Sequence, residues 1–169
     1  ATSNMFPITV CIDPGHGGKD GGAICGAYME KDINLEISFK IKTELEKKGY
    51  DVIMTREGDY HLPKGGLYSK AGELNERIKI INESKAFLLL SIHCNKFSSD
   101  IVHGAQTFYK VSSKESMVLA SLIQKNIVNN ISDNKRVSKS IENIYLLDLV
   151  SIPSVIIECG FMSNSSDLN

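Results

Sequence analysis

Between Phe87 and Ile92 the chain carries a nearly unbroken apolar run, Phe-Leu-Leu-Leu-Ser-Ile, that ends at His93. A run this short, with no polar alternation, marks a strand covered on both faces. Other strand-like and helix-like segments alternate around it, which predicts an α/β fold: one domain, with a mixed, mostly parallel sheet flanked by helices on both faces. Strands are expected at about Ile8–Ile12, Asp51–Thr55, Phe87–His93, Gly104–Tyr109 (at an edge or antiparallel) and Ser154–Glu158. Helices are expected near Lys31–Lys48, with Gly49 as its stop, near Leu67–Glu83 and near Lys114–Ile131. Their apolar stripes, such as Ile33, Ile37, Ile41 and Leu45, face the core. Residues 132–140 read as a loop, as does Asp59–Gly66.

Bulk properties exclude several partners. At 169 residues and 42% hydrophobic content the chain suffices for one core, and its formal charge of −1 leaves no footprint for nucleic acid. No apolar run approaches the roughly 20 residues that span a bilayer. Residues 1–6 read as a flexible N-terminus or tag remnant, and Ser166 or Asp167 as the start of a further helix. Cys11, Cys25, Cys94 and Cys159 form no C-x-x-C pair and read as reduced, structural thiols.

Chemistry concentrates where strands end, as open α/β sheets arrange it. The first strand runs into Asp13-Pro14-Gly15-His16-Gly17-Gly18, a turn too rich in glycine to bury an imidazole. The central run ends at His93, and Val155-Ile156-Ile157 ends at Glu158. Ionisable groups there are costly unless paired, solvated or bound to metal, and two histidines with a carboxylate suit a catalytic zinc. Glu30, at the mouth of the first long helix, is a second carboxylate. Spacing alone leaves open which glutamate is ligand and which is base. Asn95 and Asp13 suit orienting or loop-capping roles. Arg77 suits pairing with a substrate carboxylate or with a neighbour on the helix surface. The glycine run is not a nucleotide cradle: it lacks G-x-x-x-x-G-K-[ST], and Asp20 stands where a dinucleotide fingerprint needs glycine.

Several segments occur in one order: the Asp13–Gly18 run, Glu30-Lys31-Asp32-Ile33-Asn34-Leu35, Thr55-Arg56, Arg77 with Asn82, Ser91-Ile92-His93-Cys94-Asn95, Gly104–Tyr109 and Glu158-Cys159-Gly160-Phe161-Met162-Ser163-Asn164. Together they resemble the zinc-dependent N-acetylmuramoyl-L-alanine amidases of the type-3 family, most like its short germination-specific, spore-cortex members. The resemblance implies that His16, Glu30 and His93 hold one Zn2+, that Glu158 is the catalytic carboxylate, and that the substrate is peptidoglycan. It implies an exported enzyme of the cell wall, spore cortex or forespore intermembrane space. A recruiting or activating protein partner is also expected, because no wall-binding repeat accompanies the domain. Another zinc peptidase, or an inactive peptidoglycan-binding module, would use the same residues.

Overall fold

A computed structural model describes residues 7–131 and 133–169; the expectation for residues 1–6 lies outside them. Strand β1 (Thr9–Pro14) leads through a short hairpin, β2 (Ile24–Cys25) and β3 (Tyr28–Met29), into helix α1 (Glu30–Lys47). Then come β4 (Asp51–Met54), α2 (Lys70–Glu83), β5 (Leu88–Asn95), β6 (Gln106–Lys110), α3 (Lys114–Asn130), β7 (Lys139–Ile141), α4 (Tyr145–Leu149), β8 (Ser154–Phe161) and α5 (Ser165–Leu168). Six strands form one sheet in the order β4-β1-β5-β8-β6-β7. The first four are parallel, β6 is antiparallel to β8, and β7 runs parallel to β6.

Alternation along the strands builds a core on each face. Val10 and Ile12 of β1, Ile92 of β5 and Val155 and Ile157 of β8 meet Ile37, Ile41 and Leu45 of α1 and Ala120 and Ile123 of α3. Cys11 and Leu89 point the other way, to Ile78 and Ile81 of α2 and Leu146 of α4. The central strands are therefore sandwiched, as the unbroken apolar run at β5 requires.

The structure departs from the sequence reading at several points. Helix α2 begins at Lys70, because the Ser69 hydroxyl accepts the Gly72 N–H and caps it. Leu67, expected on its apolar face, is 97% exposed. Strand β6 is antiparallel to β8, one of its two expected alternatives, but is flanked on both sides and is no edge; the stretch expected as loop gives up Lys139 and Ser140 to β7, too short to announce itself by periodicity. The β2–β3 hairpin was likewise unmarked. Strand β8 continues past Glu158 to Phe161, so Glu158 sits within a strand rather than at its end. The further helix near Ser166 is present as α5, capped by Asn164. All four cysteines are free.

Candidate metal centre

His16 stands two residues beyond β1 with φ of 62°, in the left-handed region that non-glycine residues seldom occupy. The contacts around the turn hold it there. Gly17 and Asp20 exchange backbone hydrogen bonds across the turn, and the His16 carbonyl accepts from Arg77 Nη2. Asp20 Oδ2 lies 2.9 Å from His16 Nδ1. That contact turns the other ring nitrogen, Nε2, toward Glu30, 3.1 Å from Oε1.

Glu30 is the first residue of α1 and is buried. Its Oε2 accepts the Ala23 N–H at 2.8 Å, and Asn34 Nδ2 reaches Oε1 at 3.2 Å. Gly22 makes this possible. With φ of +65°, its backbone passes so close to Glu30 and the His16 ring that a side chain would collide with both. From β5, His93 Nδ1 approaches the same Oε1 at 3.1 Å.

His16 Nε2 and His93 Nδ1 thus converge on Glu30 Oε1, and one donor atom from each of the three residues lies within 4.8 Å of the others. Tetrahedral zinc with bonds of about 2.0–2.1 Å has ligand–ligand edges of about 3.4 Å, close to the two 3.1 Å separations. The donor set fits a metal with a position left for water.

Without metal, the cluster shares protons. Burial alone would lower the His16 pKa, but hydrogen bonds to Glu30 and Asp20 and their charges raise it to about 9. Burial opposes ionisation of Glu30, yet the His16 and His93 contacts and the Ala23 N–H hold its carboxyl well below the usual range.

Glu158 faces this cluster from β8 as the register partner of His93. Its Oε2 is buried and has no hydrogen-bond partner. Burial pushes its carboxyl up; His93 pulls it down, and the Glu30 charge adds to the rise. A carboxylate oxygen left bare inside a protein is expensive and rare. Here it belongs to a side chain on which the charges of His93, Glu30 and His16 all act.

Residues 10–169 match the sequence profile of the N-acetylmuramoyl-L-alanine amidase family. The chain belongs to this family. It is 43% identical over 162 residues to the germination-specific N-acetylmuramoyl-L-alanine amidase of Bacillus subtilis, a match that covers 94% of this chain and 68% of that protein. It is 34% identical to the amidase LytC of the same organism, covering 94% of the chain but only 30% of the larger protein. Among solved structures, the CwlD amidase of Clostridioides difficile, determined in complex with the GerS lipoprotein, superposes with a TM-score of 0.87 at 39% identity, covering 95% of this chain and 86% of that one.

The other residues singled out in the sequence make internal contacts. Asp13 is fully buried: Thr55 Oγ1 donates to it at 2.6 Å, Ser91 Oγ at 2.9 Å, and Arg77 Nη1 pairs with it. Arg77 is not on the helix surface. It is 3% exposed, and its two terminal nitrogens reach Asp13, Glu73 and the carbonyls of Pro14 and His16. These contacts pin the His16 turn to α2, so the expectation that Arg77 meets a substrate carboxylate is replaced by an internal role. Asn95 Oδ1 accepts from Lys96 N at 2.8 Å, which is loop capping.

Three contributors were not assigned a role from sequence. Asp20 orients His16; its position four residues after a presented histidine was the available signal. Asn34, fully buried, bridges Glu30 and the Gly15 carbonyl. Arg56, 1% exposed, donates to the carbonyls of Pro14, Gly15 and Lys31, tying the histidine turn to the start of α1. No local pattern distinguishes such an arginine from a surface one.

Proposed function

We propose that this chain hydrolyses the amide between the lactyl group of N-acetylmuramic acid and L-alanine in peptidoglycan, with zinc held by His16, Glu30 and His93. The observation that carries the reading is Glu158: a buried, unpartnered carboxylate oxygen beside three converging donors. Bound zinc supplies Lewis acidity toward the scissile carbonyl and makes water more acidic. Glu158 accepts the proton of the attacking water and returns one to the departing amine of L-alanine. A carboxyl pushed up from the usual carboxylate range by burial suits a group that must both take and give a proton. Asp20 keeps the His16 ring aimed through the reaction.

The germination-specific relative motivates a role in the spore cortex, reached by export to the cell wall or the space around the forespore. The lipoprotein complex of the Clostridioides difficile amidase motivates a recruiting protein partner for this chain as well. No helix among the described residues is long and apolar enough to cross a membrane.

The test is digestion of purified cortex sacculi with zinc-loaded protein, followed by mass spectrometry. Release of stem peptides with a new L-alanine amine supports the reading. Trimming of peptide termini with the sugar linkage intact would replace it with a peptidase; zinc binding without any cleavage would leave a binding module.

A further inference from the structure

The cleft that exposes His16 and His93 continues away from the metal donors as a cavity of about 480 Å³ between α2 and the segment leading into α4. One wall is apolar, built from Leu74, Ile144, Leu146 and Ile156. The floor is acidic. Asp13 and Glu73 share the single guanidinium of Arg77, and Asp20 is engaged with His16. Lys70, the first residue of α2, lines the same cleft and is exposed. Among the described residues, no carboxylate lies within 4.0 Å of its ammonium group, whereas both Arg77 ion pairs are closed.

We infer that Lys70 is the specificity residue of the leaving-peptide side, receiving a carboxylate carried by the residue that follows L-alanine. The inference rests on the amidase reading above and adds a substrate feature to it. A metal at the donors would draw an anionic peptide toward its own end of the cleft, whereas at the far end Asp20 and Glu73 repel a carboxylate unless a cation meets it. Arg77 cannot do so, because its charge is held below the surface by Asp13 and Glu73. Lys70 has the reach of a four-carbon stem and a place at the mouth, and the carboxylate its charge acts on, Asp20, is already bonded to His16. The apolar wall accommodates the alanine methyl and peptide backbone, while Lys70 takes the first charged group beyond them.

The experiment compares two synthetic muramoyl peptides on short glycan chains, identical except that the residue after L-alanine bears a free α-carboxylate in one and a carboxamide in the other. For an exposed charge-assisted contact the zinc-loaded wild type should favour the free acid by about two- to fivefold in kcat/KM, through KM. K70M should bring the ratio of the two substrates close to one, and K70R should restore most of it. Added salt should shrink the wild-type preference. A wild type that does not discriminate, or a preference that survives in K70M, overturns the assignment. So does an equal loss of kcat on both substrates, which would place Lys70 behind Asp20 as a support for His16. Cleavage of neither substrate by the wild type would overturn the amidase reading, and this inference with it.

Discussion

His93 and Glu158 are paired across adjacent parallel strands, β5 and β8, with their side chains on the same face of the sheet. One belongs to the cluster of candidate metal donors and the other carries the carboxylate with a bare oxygen, so the sheet register itself sets the distance between the proposed ligand and the proposed base. Neither residue depends on a loop for its placement.

Replacing Glu158 by Gln removes the proton acceptor but leaves the three donors. The variant should keep one metal per chain, measured by atomic emission, and lose about 10²–10⁴-fold in kcat, measured on sacculi. Turnover within a few-fold of the wild type would remove Glu158 from the mechanism.

His93→Ala deletes a donor and should strip the metal at concentrations that saturate the wild type. Full occupancy after this change would refute the ligand set.

Gly15 offers a steric version of the same test. A Cβ there would overlap the His93 ring, although the backbone of Gly15 lies outside the positive-φ region that glycine alone favours. Gly15→Ala should therefore fold, with unchanged far-ultraviolet circular dichroism, yet bind metal at least about tenfold more weakly because displaced support of a ligand typically costs that much.

Metal and protons compete for His16. Its pKa in the metal-free protein is raised to about 9 from 6.5, so its contribution to metal-free stability is complete below about pH 6.5 and fades as pH rises through 9. Metal binding needs the neutral ring and should strengthen over the same interval. Calorimetry at pH 7 in buffers of different ionisation enthalpy should show about one proton released from this site per metal bound. Melting temperatures should fall with pH for the metal-free form while the increment from added zinc grows. A pH-independent increment between pH 6 and 9 would contradict this.

Arg77 is a stability residue for the site. Arg77→Met leaves Asp13 buried without its guanidinium partner and should cost about 3–5 kcal/mol, read from urea melts. Arg77→Lys cannot bridge Asp13, Glu73 and two carbonyls at once and should recover only part of that loss.

Much of this protein is written locally. The apolar run at β5 and the four-residue steps of α1 specify a covered strand and a core-facing helix by short-range periodicity, because burial on a regular element repeats with the element. The glycine-flanked His16 is likewise legible, since only a presented side chain needs such a turn. Tertiary structure decided the rest. Whether Glu30 or Glu158 joins the histidines depends on which carboxylate oxygen reaches a point shared by residues 14, 63 and 77 positions apart along the chain, and no spacing rule encodes that. The interior positions of Arg77 and Arg56 were equally out of reach of the sequence, whereas the four-residue step from His16 to Asp20 was a signal that could have been read. A charged side chain is stable inside only when distant carbonyls and carboxylates close around it, and the folded chain alone brings those partners together.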